Sequence, residues 1–526
     1  MNFTVYKSSA GSGKTYTLVR IYMGLILKQP EKYRHILAIT FTNKAANEMK
    51  DRVLEQLRYI TAWIPGEPVP VNTMMHQLSV DLNMDPLQIS TNAARAQELI
   101  LHEYGNFSLG TIDSFMHRVV RTFAHDLQLP VNFDVELDTD LLLMKAIDLL
   151  LDGAGSNDEL TRLLMGFIEQ KADEEKSWHI ENDLFLISKS LFYENDIPYI
   201  NSLEGLTKKD FLSIIDTVYT YRSDFAAKVQ KLAKEAVALI TGQGIAESAF
   251  FQGAKGLPSY FSRLAAGTIE KLTPGNYHVK AITETKMTGA KASKSDQQAI
   301  ETIWPELVSH YEKLEQLREE GFSRYLLFGL LSGTIYQMAV LHEINDNLKI
   351  IQSNKNIVPL AEFNKRIAQV VTREPAPFVY ERLGERFQHY LIDEFQDTSV
   401  MQWQNLLPLV DNALGSGYYN LVVGDGKQSI YRWRGGEVMQ FVKLPEVDNP
   451  TASPEIYQRE QSLRRNYVAE KLNRNFRSRM EIVDFNNNFF TWVAKRLPEN
   501  ISSVYEDVAQ EVDQDKTGWR GMLFFL

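Results

Sequence analysis

Cysteine is absent from the 526 residues, which excludes disulfides, thiolate nucleophiles, iron–sulfur clusters and cysteine-ligated zinc, and suits a reducing cytosol. The ten histidines include no H-E-x-x-H pair of the zinc-protease type. No charge-free apolar run approaches the roughly eighteen residues a membrane-spanning helix needs. The amino-terminal residues 1–7 lead into Gly and Ser rather than an apolar targeting stretch, so the expectation is a cytoplasmic protein with no membrane segment. Positive charge is also in deficit: 56 Lys and Arg stand against 67 Asp and Glu, a net −11 that taken whole argues against a polyanionic partner. That deficit is unevenly spread. Residues 1–60 hold ten Lys/Arg against four Asp/Glu (+6) and residues 421–480 hold eleven against seven (+4), leaving −21 for the rest. A local anion-binding surface can therefore coexist with an acidic body.

What is present is the composition of an ordered globular protein, 44% hydrophobic and 23% charged, in a chain long enough for about two to four domains. The first 120 residues alternate short apolar runs with helical periodicity, the pattern of βα units. Phe3 to Lys7 reads as a strand, followed by a Gly/Ser turn and a helix with Leu18, Ile21, Leu25 and Ile26 on one face. Ile36 to Phe41 is a near-continuous apolar run, as expected of a parallel strand covered on both faces. Thr42 or Asn43 can cap the next helix, which turns Ala46, Met49, Val53 and Leu54 inward, and a third strand is expected to end near Leu109 to Ile112.

From about 130 to 378 the pattern becomes long amphipathic helices, at 141–151, 211–240 and 303–319, with residues 252–298 reading as a mobile Gly-, Ser-, Thr- and Lys-rich loop. Strand signals return at Tyr390-Leu391-Ile392 and Leu421-Val422-Val423, each running into an acidic residue. A parallel sheet interrupted by a helical segment and then resumed is the economical architecture.

Ser8-Ser9-Ala10-Gly11-Ser12-Gly13-Lys14-Thr15 follows a strand and opens a helix, the context a phosphate-binding loop requires. Glycines let backbone N–H groups turn toward phosphate oxygens, and the helix start adds its positive dipole end. Lys14 would neutralise the β- and γ-phosphates and Thr15 would coordinate Mg²⁺, so ATP and Mg²⁺ are the expected cofactors, held along Ala10, Gly11, Ser12, Gly13, Lys14, Thr15 and Tyr16. Ser8 stands where such loops usually begin with glycine. The second part of such a site is an acidic strand end. Asp393 would hold Mg²⁺ through water, and Glu394 would polarise the attacking water as general base.

The continuation Phe395-Gln396-Asp397-Thr398-Ser399, with Gly424-Asp425-Gly426-Lys427-Gln428-Ser429-Ile430-Tyr431-Arg432-Trp433-Arg434-Gly435-Gly436, resembles the superfamily 1 DNA helicases of the UvrD/Rep class, and most nearly their RecB/AddA helicase–nuclease branch. Supporting blocks run Ile39 to Ala46, Gly110 to Phe115 and Leu472 to Ser478, in family order. The resemblance covers roughly the first 125 residues and 380–480; the helical middle carries no family motif.

The resemblance implies an α/β fold, a RecA-like parallel-sheet motor domain interrupted by a large, mostly helical insertion. Its parts would be 1–125 and 380–480 for the motor, 126–379 for the insertion and 481–526 for the start of a second motor domain. It makes Lys14, Glu394, Gln428 and Arg477 the catalytic set, with Gln428 sensing γ-phosphate and Arg477 stabilising transition-state charge. Phe41, Tyr431 and Trp433 fall at positions that line a single-strand track, Arg434 beside them, and Thr42, Asn43, Thr111 and Ser114 could hold phosphates. The implied activity is ATP-dependent translocation on single-stranded DNA with unwinding of duplex, 3′ to 5′, in recombinational repair and with a second helicase–nuclease subunit.

Two departures stand out. Members commonly carry an adenine-reading glutamine upstream of the phosphate loop, and Lys14 is only the fourteenth residue here. Neither the T-x-H-x-x-K-G-L-E type segment nor the V-A-L-T-R-A type arginine motif occurs, and residues 521–526 read as an apolar strand cut short. The expectation is a truncated chain that binds nucleotide and turns it over poorly. Two other readings remain: a nucleotide-dependent DNA-binding or assembly subunit that does not unwind, and a nuclease built on the Glu284-Thr285-Lys286 triplet, which has no convincing paired Asp.

Overall fold

The computed structural model describes residues 2–512 except 72, 125–126, 128, 130–131, 137, 174–178, 204, 291, 374–377, 451 and 507. The expected strand at 521–526 lies outside the described residues. In chain order the strands are β1 (Phe3–Ser8), β2 (Ile36–Thr40), β3 (Leu109–Thr111), β4 (Asp134–Glu136), β5 (Ile357–Pro359), β6 (His389–Ile392), β7 (Asn420–Gly424), β8 (Tyr467–Leu472), β9 (Arg474–Asn475) and β10 (Glu511–Val512). Six of them form one sheet in the order β3-β2-β6-β7-β1-β8, parallel at every pairing. Two short pairs, β4 with β5 and β9 with β10, are also parallel.

Side-chain alternation explains why three of these strands read as continuous apolar runs. In β2, Leu37 and Ile39 enter one core while Ile36 and Ala38 enter the other; in β6, Tyr390 and Ile392 oppose Leu391; in β7, Val422 opposes Leu421 and Val423. Successive residues point to opposite faces, and helices cover both. The first face is sealed by helix Val400–Gly415, whose fully buried Trp403 meets Phe3 at 6.5 Å and Phe395 edge-on at 5.0 Å between ring centroids. The second is sealed by Lys14–Lys28, Asn43–Thr61 and Pro86–His102, which bring Leu18, Tyr22, Val53, Leu57 and Ile89 onto the sheet.

The described residues form two compact units. Met1–Thr139, Phe192–Ile197 and Gln352–Leu526 make up the sheet-bearing unit, and Asp140–Leu191 with Pro198–Ile351 make up the other. Residues 352–373 therefore sit with the sheet: β5 pairs with β4, and helix Ala361–Arg373 brings Phe363 and Ile367 into the first core. The second unit is helical. Its longest helix, Lys208–Gly242, starts at a capping box of Thr207 and Asp210 and buries Phe225, Val229, Ala233, Ala236 and Ile240, spaced three and four apart. The reading of 252–298 as a mobile loop is overturned. Helices Leu257–Ala265 and Asn276–Thr283 form there, because Tyr260, Phe261, Leu264 and Ala281 supply a buried face that the polar composition obscures. No single described helix is long and apolar enough to cross a membrane.

Among the described residues Trp403 is the largest fully buried side chain, and its ring meets Phe3 of β1 and Phe395 just after β6. Trp403→Ala is expected to cost about 3–5 kcal/mol, read as a lower denaturation midpoint of the sheet-bearing unit in urea.

Candidate functional site

Because every strand runs the same way, the carboxyl ends of β1, β6 and β7 open on one edge, and the crevice there is where ligands of such sheets sit. The chain leaves β1 through a loop in which Gly11 (φ 80°) and Gly13 (φ 84°) are left-handed. A Cβ on Gly11 would approach Asn475 Oδ1 and Arg477 Cβ to 2.9 Å, so that position has neither the conformation nor the space for a side chain. Ser8 fits in place of the expected glycine because it ends β1 in ordinary extended backbone and its hydroxyl donates to the Gly424 carbonyl at 2.6 Å. No side chain caps helix Lys14–Lys28, and its first N–H groups meet no backbone acceptor among the described residues. The Ser12 hydroxyl beside them is buried without a partner. Open N–H groups at a helix start suit an anion, phosphate above all.

Lys14 Nζ reaches the Glu394 carboxylate at 3.0 and 3.1 Å and the Gln428 amide oxygen at 3.1 Å, joining residues 380 and 414 positions apart. Glu394 follows the buried Asp393 in left-handed backbone (φ 51°), a strain of about 1–3 kcal/mol that surroundings must hold in place. They do: Glu394 N–H donates to Asp393 Oδ1 at 3.0 Å, and Gln396 Nε2 donates to Glu394 Oε2 at 2.7 Å. Gln396 also accepts the Asp425 N–H at 3.0 Å. Asp425 in turn accepts Gln428 Nε2 at 2.8 Å and pairs with Lys427 at 2.8 Å. Burial, then the Glu394 charge, pushes the Asp393 carboxyl well above the usual range; the same two causes, against hydrogen bonds from Ile430 and Tyr431, raise Asp397 to about 6.

Arg477 flanks this loop on an exposed stretch fixed by Asn475. The Asn475 side chain accepts the N–H groups of Arg477 and Ser478 at 2.8 Å and donates to the Ala10 carbonyl at 3.2 Å. Phe476 N–H meets the Gly11 carbonyl at 2.9 Å, and its half-exposed ring lies beside Gly13. Thr15 follows Lys14 in the first helical turn, as does Tyr16, whose exposed hydroxyl donates to Gln77 at 2.6 Å.

A second group lies beyond Gln428. The rings of Phe41 and Tyr431 meet at 4.4 Å between centroids, Tyr431 and Trp433 at 6.2 Å, and the Arg434 guanidinium stands over Phe41 at 5.3 Å and Trp433 at 5.8 Å. Trp433 is 71% exposed, which disfavours a core-packing role. Thr42 and Thr111 cap their helices, accepting the N–H groups of Ala45 and Ser114 at 3.2 Å; Asn43 opens the first of these helices, and the Ser114 hydroxyl donates to the Thr111 carbonyl. These hydroxyls thus already serve the fold, and each Thr keeps its own proton for a further bond. A cavity of about 660 Å³ opens beside the rings, lined by Asp113, Glu194, Asn364 and Arg434. Glu194, whose Oε1 accepts from Asn364 at 3.0 Å and whose carboxyl burial pushes up, comes from the six-residue return Phe192–Ile197. No sequence signal marked it, for a lone Glu between helices has none.

Glu284 is paired with Lys286 in the helical unit, and among the described residues no cluster of three His, Asp or Glu could hold a metal unaided.

Asp397 makes a pH prediction. With its carboxyl near 6 folded against 3.8 ordinarily, the folded chain holds a proton that the unfolded chain has released. Its contribution to stability is therefore fully present below about pH 3.8 and is lost as pH rises from there through about 6. Asp397→Asn should flatten the decline in melting temperature between about pH 4 and pH 6; an unchanged profile would count against this assignment.

Comparison with known proteins agrees with this geometry. The UvrD/REP helicase N-terminal domain family matches residues 3–447. Similar proteins, each named as a subunit of an ATP-dependent helicase/nuclease, occur in Lysinibacillus sphaericus (23% identical, covering 96% of this chain and 40% of that protein), Oceanobacillus iheyensis (24%, 97% and 39%) and Staphylococcus aureus USA300 (23%, 96% and 39%). The chain spans about two fifths of the length of these curated relatives. With a parallel sheet whose strand ends gather Lys14, Glu394 and Gln428, and a match over residues 3–447, the chain belongs to the UvrD/REP helicase N-terminal domain family.

Proposed function

We propose that this chain is the nucleotide-binding motor part of an ATP-dependent DNA helicase of the helicase–nuclease kind, acting in recombinational repair on single-stranded and duplex DNA, 3′ to 5′, with a second subunit. The motor would comprise 1–125 and 380–480, the insertion 126–379, and a second motor domain would begin within 481–526. The observation that carries the reading is the meeting of Lys14 with both Glu394 and Gln428 at the carboxyl edge of the sheet.

The residues present fit ATP and Mg²⁺. Ala10, Gly11, Ser12, Gly13, Lys14, Thr15 and Tyr16 would take the triphosphate, with open N–H groups at the helix start and a buried unpaired hydroxyl on Ser12 supporting this. The Thr15 hydroxyl and the Asp393 carboxylate would hold Mg²⁺, which supplies charge neutralisation at the phosphates. Glu394 would accept a proton from the attacking water, its carboxylate aimed by Gln396. Gln428, bridging Asp425 and Lys14, would sense the γ-phosphate, and Arg477 would stabilise charge there. Phe41, Tyr431 and Trp433 would receive bases, with Arg434, Thr42, Asn43, Thr111 and Ser114 on phosphates.

Two measurements test the reading. Lys14→Ala should weaken binding of a non-hydrolysable ATP analogue with Mg²⁺ by about tenfold or more, while Glu394→Gln should keep that affinity and lower single-turnover hydrolysis by about 10²–10⁴. Turnover equal to the parent chain in Glu394→Gln would remove the general-base role, and hydrolysis in the parent is itself expected to be slow. For nucleic acid, Trp433→Ala should cost about 1–3 kcal/mol in oligonucleotide affinity with little sequence preference. Arg434→Ala should reduce the slope of log affinity against log salt by about 0.7. Unaltered affinity in both variants would move the strand elsewhere.

A further inference from the structure

The structure brings a glutamine to the phosphate loop from a helix outside the motifs read in the sequence. Helix Met74–Leu82 is capped by Thr73 and pinned to the second core by the buried Met74, Met75 and Leu78. Its other face meets helix Lys14–Lys28 in register: Tyr16 Oη donates to Gln77 Oε1 at 2.6 Å, and one turn further along both helices Arg20 approaches Asp81 at 3.7 Å. Gln77 is thereby fixed beside the first turn of the loop helix.

Helical geometry says which end of a nucleotide that turn would meet. At about 100° per residue, Lys14 and Tyr16 point to nearly opposite sides of the helix. Lys14 points toward Glu394 and Gln428, the proposed reacting end of the triphosphate. The nucleoside would leave on the other side, where Tyr16 is 40% exposed just ahead of the buried Thr17, Leu18 and Val19.

We propose that Gln77 is the nucleobase-reading residue of this site, selecting adenine, with Tyr16 as its positioning partner; the proposal rests on the nucleotide-binding reading above. A side-chain amide offers an acceptor and a donor side by side, which match the N6 amino group and N7 of adenine. Guanine presents acceptors at both O6 and N7, so the amide oxygen would face an oxygen. The Tyr16 hydroxyl holds that amide oxygen on one lone pair, leaves its second lone pair for the N6–H, and leaves Nε2–H free to donate to N7.

The test is a displacement titration of a fluorescent triphosphate analogue from the 526-residue chain with Mg²⁺, using ATP, GTP and inorganic tripolyphosphate as competitors. The parent chain is expected to prefer ATP over GTP by about tenfold. Gln77→Ala should bring that ratio close to one by weakening ATP alone, with GTP and tripolyphosphate unchanged; Tyr16→Phe should reduce the ratio less. A parent chain that does not discriminate, or a Gln77→Ala chain that keeps the ratio, overturns the proposal. Lys14→Ala should weaken all three competitors together. If it weakens none, the nucleotide-binding reading fails first and Gln77 with it, whereas loss in Lys14→Ala beside an unchanged ratio in Gln77→Ala rejects Gln77 alone.

Discussion

The rest of the site depends on a single ammonium group held between a carboxylate and an amide. Lys14 is only 12% exposed in its side chain, and a cation that enclosed is tolerated only when partners surround it. Those partners come from the ends of β6 and β7, almost four hundred residues along the chain, and only a parallel sheet with β6, β7 and β1 adjacent brings them within 3.1 Å. The fold is what makes the contact possible.

The same edge ties the aromatic group to the phosphate-loop side by a short path. Gln428 and Tyr431 are three residues apart after β7, the Ser429 hydroxyl donates to the Gln396 carbonyl at 3.3 Å, and Gln396 holds Glu394. Beyond the rings, Gly436 bridges back to Ser399, the cap of the helix that carries Trp403. A shift of Glu394 or Gln428 therefore has few bonds to cross before it reaches Tyr431 and Trp433. This contiguity supplies a physical route between the two groups.

How much was legible follows from which signals are local. β2, β6 and β7 could be read because both of their faces are buried, so an apolar run marks them. β8 could not: Tyr467–Leu472 pairs only with β1 at the sheet edge, and its exposed Ala469, Glu470 and Lys471 dilute the pattern. The motif residues Lys14, Glu394 and Gln428 were legible as types at recognised spacings, and the structure brings those three together. Gln77 and Glu194 were not, because each takes its place from a helix register or a chain return that leaves no trace in neighbouring residues. Likewise the polar stretch near 260 hid Tyr260 and Phe261, since a few large buried rings can anchor a segment whose average composition reads as loop.

Charge within the cluster distinguishes its four carboxylates. Asp425 is matched by the Lys427 ammonium and by the Gln428 amide, and Glu394 is matched by Lys14. Asp397 has no ammonium of its own but accepts backbone N–H groups of Ile430 and Tyr431 and the Gln396 amide. Asp393 is buried, accepts the Glu394 N–H, and shares the field of Lys14 with that same Glu394. A buried carboxylate beside a second carboxylate is costly unless further positive charge is supplied. Of the four, Asp393 has the most to gain from a divalent cation, which would bring its pKa down rather than up. The raised carboxyl and the proposed metal-holding role are thus two consequences of one arrangement: an acidic strand end enclosed on the sheet's carboxyl edge, next to a lysine already shared.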